Sequence, residues 1–372
     1  MAQSRMRIAL VAPLIAPLAE PQLGGVQTFL VDLARGLTRR GHGVTVFAAR
    51  GSRVEGVTVV EVGVDAAELS ATLVRPGGTP PDDDAEARSA EAFAATAALI
   101  GSRDFDVVHN HAFDVPAIRH AATLATPVVH TLHMPVDARI GAALASAQTS
   151  ANPPLVAGVS EAQAGAWRRL VPVDAVLRPG LPVDAIPWRA TAPSTRLLFA
   201  GRFSLEKGAL EAVAIARAAR RRLLLCGPGY DPEYAAQVRE LLEESPLDLL
   251  PAAVEVLPAL ERRALWLEMG GSAAVLCPPA WEEPFGMVAA EANACGTPVV
   301  GFRRGGLPEV VDDDVTAILV APGDVAGAAA GVRRADQLSR VACRRHAEEN
   351  LDLEATLDAH ERVYLRAVGA RG

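Results

Sequence analysis

The stretch PPAWEEPFGMVAAEANACGTPVVGF, residues 278–302, contains the pattern that decides the fold. The apolar run AAVLC before it predicts a buried strand, and Pro284-Phe285-Gly286 predicts a turn. MVAAEANA then predicts a helix, Gly-Thr-Pro a second turn, and VVGF another buried strand. Strand, helix and strand in this order are typical of a parallel sheet covered by helices. Two carboxylates, Glu283 and Glu291, stand at the turn and inside the helix. This part of a strand-loop-helix unit normally binds anions, so two negative side chains there require an explanation.

The same alternation extends outward over most of the chain. Short apolar runs separated by stretches of helical periodicity predict a succession of parallel strands and covering helices. The apolar runs are MRIALVAPL, VTVFAA, VTVVEVG, DVVHNH and TPVVHTLH in the first half and RLLFAGR, RRLLLCGPG, AAVLCPP, PVVGF and AILVAPGD in the second. The pattern therefore predicts an α/β protein with doubly wound sheets.

A proline-rich junction, RPGLPVDAIPWRATAPS at residues 178–194, separates the two series of strands. We expect two Rossmann-like lobes that face each other across a cleft. Residues 1–184 would form the first lobe and residues 185–350 the second. The helical pattern of residues 351–372 predicts a C-terminal helix that crosses back to the first lobe.

Composition excludes several classes of protein. The formal net charge of −8 over 372 residues argues against a nucleic-acid-binding protein. No apolar stretch is long enough to span a membrane, and the first residues predict a strand and not a signal peptide. Four separated cysteines predict a reducing, cytoplasmic compartment and no zinc site. Peripheral membrane contact through residues 86–100 has no support, since that helical stretch lacks a basic face.

The stretch FAGRFSLEKG, residues 199–208, combines cationic side chains with glycines at a strand end. Arg202 offers a planar fork for phosphate oxygens and Lys207 a mobile point charge, so together they could neutralise a diphosphate without a metal. Gly24-Gly25 lies between the first strand and the first helix. Such a pair either lets backbone amides approach a ligand or only makes a turn, and the sequence leaves both open.

The two glutamates suit hydroxyl groups better than a metal or an anion. The amides at the start of the helix near Met287 can hold phosphate. Carboxylates accept hydrogen bonds from vicinal hydroxyls, as the acidic residue of dinucleotide-binding folds does with ribose. We therefore predict that Glu283 and Glu291 hold sugar hydroxyls, while amides, Arg202 and Lys207 hold phosphate. No isolated Asp-x-Asp pair marks a metal site.

Together these motifs resemble the family-four retaining glycosyltransferases of the GT-B fold, the glycosyl transferases of group 1. EEPFGMVAAEANACGTPVVGFRRGGLPEVV resembles their E-x7-E region, and FAGRFSLEKG resembles their donor-phosphate motif. The resemblance extends, in the family's order, to GGVQ, DVVHNH, TLH, VSEAQAG, RPGLPVD, LCGPG and AILVAPGD. It covers nearly the whole chain and is weakest over residues 60–100 and 228–262.

The resemblance implies that the first lobe, residues 1–184, binds the acceptor and that the second lobe, residues 185–350, binds the nucleotide sugar. It also implies a role for each matching residue. It implies that Arg202 and Lys207 bind the donor diphosphate, that Glu283 contacts the transferred sugar, and that Glu291 holds the ribose. Its catalytic set is His133, Glu283, Arg202 and Lys207. Its donor-binding set is Gly24, Gly25, Gly201, Arg202, Lys207, Gly227, Glu283, Phe285, Gly286, Met287 and Glu291. His109 and His111 would line the acceptor side, and no metal or other cofactor is implied.

The expected reaction is metal-independent transfer of a hexosyl unit, with retention, from a nucleotide-diphosphate sugar to a hydroxyl of a small molecule or a sugar. UDP is favoured over GDP-mannose as the donor. The alternatives are an enzyme similar to UDP-sugar 2-epimerases, a glycosyltransferase with a lipid or phosphoinositide acceptor, and a non-catalytic nucleotide-sugar-binding protein. An epimerase would act on the donor alone, and a binding protein would not turn it over.

Overall fold

The computed structural model describes residues 5–22, 24–62, 83–229, 231–243 and 254–369. The chain divides into two compact units. Unit 1 comprises residues 1–19, 26–180 and 353–372, and unit 2 comprises residues 20–25 and 181–352. The C-terminal segment is therefore part of unit 1. By their contacts residues 20–25, which include Gly24 and Gly25, are grouped with unit 2, whereas the sequence analysis assigned both glycines to the first lobe.

Unit 1 contains a seven-stranded sheet in which every registered pair is parallel, with strand order β3-β2-β1-β4-β5-β6-β7. Its strands are β1 Arg7–Val11, β2 Gly43–Ala49, β3 Thr58–Val62, β4 Val107–Asn110, β5 Val128–Thr131, β6 Leu155–Gly158 and β7 Ala175–Val176. Its helices are α1 Gly25–Arg39, α2 Asp83–Gly101, α3 Val115–Ala121, α4 Ala138–Ala147, α5 Glu161–Trp167 and, after unit 2, α13 Leu353–Gly369. The bounds of α1 include Gly25, whose contacts group it with unit 2.

Unit 2 contains a six-stranded parallel sheet of strand order β10-β9-β8-β11-β12-β13. Its strands are β8 Leu197–Ala200, β9 Leu223–Cys226, β10 Val254–Leu257, β11 Ala274–Cys277, β12 Val299–Phe302 and β13 Ala317–Val320. Its helices are α6 Ala209–Ala219, α7 Pro232–Glu243, α8 Arg262–Gly271, α9 Met287–Ala294, α10 Leu307–Val310, α11 Val325–Ala335 and α12 Arg340–Asn350. The sequence therefore predicted the parallel α/β sheets correctly, but it did not identify β6, β7 and β10.

Both sheets are buried by apolar side chains on their two faces. In unit 2, Phe199 and Leu225 from the strands pack with Val213 from α6, and all three are at most 2% exposed. In unit 1, Phe47 and Val108 pack with Phe93 from α2. Continuous apolar strands of this kind require cover on both faces, which explains why the sequence alternates strand and helix.

The C-terminal helix α13 is attached to the rest of unit 1 by a largely buried cation. The Arg40 side chain is 16% exposed and forms ion pairs with three carboxylates of α13, those of Glu354, Asp358 and Glu361. Nε2 of His42 lies 3.1 Å from Oε1 of Glu361. A guanidinium that satisfies several carboxylates at once is pre-organised for this task by its planar fork.

Candidate active site

The predicted phosphate and sugar residues lie at the point of unit 2 where the strand order reverses. Strands β8 and β11 are neighbours in the sheet but are far apart in sequence. Their carboxyl ends therefore lead into two loops with a crevice between them, the usual ligand site of an open α/β sheet. The backbone N–H of Ala280 in the second loop donates to the carbonyl oxygen of Glu206 in the first, at 3.1 Å. The two stretches singled out in the sequence are thus in direct contact.

The loop after β8 is shaped by glycines. Gly208 has a φ of +78°, and a Cβ atom there would run into the carbonyl oxygen of Pro278. A Cβ on Gly227, after β9, would likewise run into the carbonyl oxygen of Gly201. Glycine is required at positions where backbones approach this closely. These glycines bring the loops after β8, β9 and β11 together at the ends of the strands.

Lys207 joins the two loops. Its Nζ lies 2.8 Å from Oε2 of Glu283, and its side chain is 27% exposed. Of the 36 basic residues in the chain, Lys207 is the only lysine. Everywhere else the chain uses arginine, so a compact ammonium with rotatable donors is used at this one position. This count was available in the sequence and strengthens the case for Lys207.

Arg202, the other predicted phosphate ligand, lies on the same loop. One of its guanidinium nitrogens is 3.1 Å from Oε1 of Glu206, and its side chain is 22% exposed. It thus begins the loop that Lys207 ends, with its charge directed along the chain to a carboxylate four residues on. The structure brings Lys207 and Glu283 into contact and places Arg202 on the same loop.

Glu283 is held from its backbone and from its side chain. Its carbonyl oxygen accepts from the N–H of Gly306 at 2.7 Å. Gly305 has a φ of +56°, and a Cβ there would lie 2.5 Å from the backbone nitrogen of Glu283. The indole Nε1 of Trp281 donates to Oε2 of Glu283 at 2.9 Å. The sequence analysis did not identify Trp281, although it stands two residues before the glutamate.

The turn at Pro284-Phe285-Gly286 leads directly into α9. Gly286 has a φ of +115°, and no side chain caps the helix there. Phe285 is buried at 4% exposure and anchors the turn. The helix begins at Met287, as the sequence predicted, so its amides and positive dipole end follow Glu283 immediately. A Cβ on Gly25 would lie 3.0 Å from Cγ of Met287, which places the first glycine pair beside this turn in unit 2.

Glu291, inside α9, is more deeply buried than an exposed helix residue. Its side chain is 6% exposed, and its Oε1 accepts from Nε of Arg262 at 2.9 Å and from Nε1 of Trp266 at 3.1 Å. Both donors come from α8, four residues apart and therefore on the same face of that helix. Sequence reasoning missed Arg262 and Trp266, because no local pattern links these residues to a glutamate that follows them by 29 and 25 positions.

The three predicted histidines of unit 1 lie in one buried cluster. His109 is bonded through Nδ1 to the hydroxyl of Tyr364 and through Nε2 to that of Thr131, both at 2.7 Å. Nδ1 of His111 lies 2.9 Å from Nε2 of His133. His109 and His111 have no exposed surface, and His133 is 8% exposed. The prediction that the first two line the acceptor side therefore stays a prediction, since their neighbours are other side chains of unit 1.

Burial determines the protonation of this cluster. Burial and the neighbouring imidazoles lower the pKa of His109 and His111 well below the ordinary value of 6.5. Burial also lowers the pKa of His133 to about 3, and that of His130 and His360 to about 4. The five rings are therefore neutral near pH 7.

A cavity of about 340 Å³ lies between α2, α3 and α4 of unit 1, beside Phe113 and Asp114 in the loop that follows β4. Arg119 and Arg139 line it together with Glu86, Asp114 and the hydroxyl-bearing Ser89 and Ser146. Ser89 is 2% exposed, and its hydroxyl has no hydrogen-bond partner among the described residues. The cavity thus offers two cations, two carboxylates and hydroxyls to a polar ligand of moderate size.

Two negative findings apply to the described residues alone. Among them, no group of three or more histidine, cysteine, aspartate or glutamate side chains is arranged to hold a metal ion. No helix in the described ranges has the length and apolarity needed to cross a membrane.

Comparison with known proteins places the whole arrangement in a family. Residues 23–184 match the family described as "Glycosyltransferase Family 4", and residues 188–350 match "Glycosyl transferases group 1". The chain is 30% identical over 368 residues to a D-inositol 3-phosphate glycosyltransferase of Xylanimonas cellulosilytica, with 84% of each protein covered.

Solved structures share the fold over nearly the full length. AviGT4, a glycosyltransferase involved in avilamycin A biosynthesis, has a TM-score of 0.70 at 24% identity, with 98% of both chains covered. Anabaena HepE in complex with UDP and glucose has a TM-score of 0.73 at 17% identity, with 96% of this chain and 99% of that chain covered. Two parallel-sheet α/β units, matches to both family descriptions and a relative of this identity lead to one conclusion: the chain belongs to the group 1, family-four glycosyltransferases of the GT-B fold.

Proposed function

We propose that this enzyme transfers a hexosyl unit from a nucleotide-diphosphate sugar to an acceptor hydroxyl, with retention of configuration and without an essential metal ion. The observation that carries the proposal is the contact between Lys207 and Glu283 at the strand-order reversal of unit 2, directly before the N-terminus of α9. A cation, a hydroxyl acceptor and a helix N-terminus thus occupy one crevice. This set matches a sugar attached to a diphosphate.

In this proposal the positive groups act on the leaving diphosphate. Arg202, Lys207 and the first amides of α9 stabilise the charge that develops on the phosphate oxygen as the anomeric C–O bond breaks. A new C–O bond forms to the acceptor oxygen on the face that the diphosphate leaves. The acceptor proton passes to a phosphate oxygen of the departing nucleoside diphosphate. Two cationic side chains supply the charge that a divalent metal supplies in other transferases, so activity should survive chelation.

Glu283 would accept hydrogen bonds from hydroxyls of the transferred sugar, and Glu291 would accept hydrogen bonds from hydroxyls of the ribose. Lys207 is already paired with Glu283 at 2.8 Å, so the same ammonium can contact the carboxylate and the diphosphate. UDP is the preferred nucleotide, with support from the related HepE fold, which was solved with UDP and glucose. GDP is the alternative nucleotide, and a panel of UDP- and GDP-sugars distinguishes between the two.

The acceptor is proposed to be a small polyol or sugar, and its phosphorylated forms are tested first. The relative from Xylanimonas is named a D-inositol 3-phosphate glycosyltransferase. The cavity of unit 1 offers Arg119 and Arg139 for an anionic group, and Glu86 and Asp114 for hydroxyls. Its volume of about 340 Å³ accommodates a small polyol phosphate.

A donor and acceptor panel tests the reaction class. UDP-, GDP-, ADP- and dTDP-sugars are first screened by thermal shift, because a ligand that prefers the native state raises the melting temperature. The stabilising donors are then incubated with inositol phosphates and simple sugars, with EDTA and without it. We expect a glycoside with the anomeric configuration of the donor. Conversion of a donor alone into its 2-epimer, or tight binding with no turnover over the whole panel, would refute the transferase proposal.

Variants of the central pair test the assignment of the site. Lys207→Ala and Glu283→Ala should each lower kcat/KM by about 100-fold or more, since one charged contact to the transition state is worth that much. Lys207→Arg should be impaired too, because the longer planar fork does not replace a point charge. Arg345→Ala is the control, since that side chain is 65% exposed on α12. Near-normal turnover in the first two variants would refute the assignment.

The single lysine allows a direct contact test. An amine-selective acylating reagent can modify only Lys207 and the α-amino group of the chain. Mass spectrometry of the peptides gives both rates in one sample, and the α-amino group is the internal control. UDP should slow the labelling of Lys207 and leave the terminus unchanged. Equal labelling of Lys207 with saturating UDP and without it would place the diphosphate elsewhere.

Arg119→Ala tests the acceptor cavity. We expect the KM for a phosphorylated acceptor to rise about tenfold or more with little change in donor KM, because one charge-assisted contact is lost. Arg168→Ala is the matched control, since that exposed arginine of unit 1 pairs only with Glu161 among the contacts resolved. An unchanged acceptor KM in Arg119→Ala would exclude the cavity as the anion site and leave the transferase assignment intact.

A further inference from the structure

The two glutamates of the site have the same chemical surroundings. Glu283 contacts one cation and one tryptophan, Lys207 and Trp281. Glu291 also contacts one cation and one tryptophan, Arg262 and Trp266 from α8. The four partners come from three parts of unit 2, namely the loops after β8 and β11 and helix α8, so no local sequence repeat explains the coincidence. We call the two groups the Glu283 triad and the Glu291 triad.

In each triad the cation packs on the ring of the same tryptophan that donates to the carboxylate. Nζ of Lys207 lies 4.9 Å from the centroid of the Trp281 ring. The guanidinium carbon of Arg262 lies 4.7 Å from the centroid of the Trp266 ring. Both distances are within the range of a cation–π contact. Each tryptophan therefore fixes the cation through its face and the carboxylate through its N–H.

In each triad both hydrogen bonds end on the same carboxylate oxygen. Among the described residues, Lys207 and Trp281 both donate to Oε2 of Glu283, and no bond is made to its Oε1. Arg262 and Trp266 both donate to Oε1 of Glu291, and no bond is made to its Oε2. A carboxylate has about four acceptor positions over its two oxygens. One oxygen is thus fully engaged while the other keeps its capacity for a ligand.

Burial makes this arrangement rigid. The side chains of Glu283 and Glu291 are 16% and 6% exposed. A partly buried carboxylate held by a single cation could rotate about its terminal bond and present either oxygen. A second donor of fixed direction, the indole N–H, removes that freedom without adding a further positive charge. The free oxygen therefore keeps both its orientation and its strength as an acceptor.

We infer that Trp281 and Trp266 are positioning residues, which orient the free oxygens of Glu283 and Glu291 toward hydroxyls of the donor. Trp281 acts on the carboxylate that holds the transferred sugar, and Trp266 acts on the carboxylate that holds the ribose. The inference rests on the proposed function and goes beyond it. It assigns the orientation of each glutamate to a neutral N–H donor and separates the sugar and nucleoside contributions.

Trp281→Phe and Trp266→Phe test the inference, because phenylalanine keeps an aromatic face for the cation and lacks the N–H. Trp281→Phe should lower kcat by about 10-fold to 100-fold and leave the affinity for free UDP unchanged. Trp266→Phe should weaken binding of free UDP by a similar factor and raise the donor KM, with kcat nearly unchanged. Trp188→Phe is the matched control, since that tryptophan of unit 2 is 41% exposed and belongs to neither triad.

Trp281→Phe should change kcat alone and Trp266→Phe mainly the affinity for UDP. This contrast distinguishes positioning from a general loss of structure, which would lower kcat and UDP affinity together. UDP affinity is measured by calorimetry, so it does not depend on turnover. If a phenylalanine variant unfolds, benzothienylalanine at the same position, in which sulfur replaces the indole N–H at nearly unchanged shape, makes the same test.

Wild-type UDP affinity and kinetics in both variants would overturn the inference and leave the proposed function standing. Equal effects of both variants on UDP affinity and kcat would also overturn it. Failure of the wild-type enzyme to use any nucleotide sugar would instead refute the proposed function, whatever the tryptophan variants do.

Discussion

Acidification should destabilise unit 1 selectively, because the unit buries a cluster of neutral histidines. The rings of His109, His111, His133 and His360 lie within 3.8 to 6.3 Å of one another or of Phe29. Nε2 of His111 and of His360 is buried without a hydrogen-bond partner among the described residues. A proton on either ring would find no acceptor there, so the folded unit resists protonation.

The sign and size follow from linkage. The folded pKa values of His130 and His360 are about 4 and that of His133 about 3, all below the ordinary 6.5 of an unfolded chain. Below pH 6.5 the unfolded state binds more protons than the folded state, so stability falls as the pH falls. The stability that depends on neutral histidines is fully present above about pH 6.5. At pH 5 each of these three histidines lowers the free energy of unfolding by about 2 kcal/mol relative to pH 8, and together they lower it by roughly 6 kcal/mol.

Urea unfolding at pH 8 and pH 5 measures this loss. Trp167 is the only tryptophan in the sequence of unit 1 and is 1% exposed. Replacing the three tryptophans of unit 2 with phenylalanine makes its fluorescence a reporter of unit 1 alone. His360→Gln should reduce the difference in unfolding free energy between the two pH values by about 2 kcal/mol. His120→Gln, outside the cluster, is the control.

A loss of less than about 1 kcal/mol between pH 8 and pH 5 would refute the reasoning. A pH dependence that His360→Gln leaves unchanged would refute it equally, since the loss would then come from other groups.

Three further substitutions test features of the fold and the site. Arg40→Ala should cost unit 1 about 3 kcal/mol in urea unfolding, because it leaves the buried carboxylate of Glu361 without its cation. Arg39→Ala, whose side chain is 58% exposed, should cost less than about 1 kcal/mol. Equal costs of the two variants would contradict this prediction. Gly305→Ala should lower kcat/KM about tenfold or more, since the added Cβ would displace the backbone of Glu283. Gly323→Ala is the control and should leave the kinetics unchanged, because Gly323 also has a positive φ, of +81°, but a Cβ there would meet no atom within 4 Å. Arg340→Lys should lower the stability of unit 2 by about 3 kcal/mol, because the 6% exposed guanidinium donates to four oxygens that one ammonium cannot all reach. An unchanged melting temperature would argue against that network.

Local pattern was sufficient for most of the architecture. The strands around β8, β9, β11, β12 and β13 were predictable because buried parallel strands are continuous apolar runs, and α9 was predictable from the turn at Gly286. Strand β7 has two residues, and β10 includes a charged residue, Glu255, with no buried position, so neither has the apolar pattern of a buried strand. The order of strands in each sheet could not be read from the pattern.

The candidate site, like the fold, could be predicted only in part from the sequence. Lys207, Glu283 and Glu291 could be found from the sequence because each stands in a recognisable stretch at a strand end or a helix start. The partners that hold them could not. Trp266 and Arg262 reach Glu291 only because α8 packs beside α9. Gly24 and Gly25, assigned to the first lobe by position in the chain, lie in unit 2 by contact.

The sequence alone identified the charged side chains of the candidate site, since local periodicity indicates where strands end and helices begin. Only the tertiary structure decided which oxygen of each glutamate is engaged, which tryptophan holds it, and that three predicted histidines are buried and neutral. Those properties depend on distances and desolvation between residues remote in the chain, and no pattern of neighbouring residues specifies either.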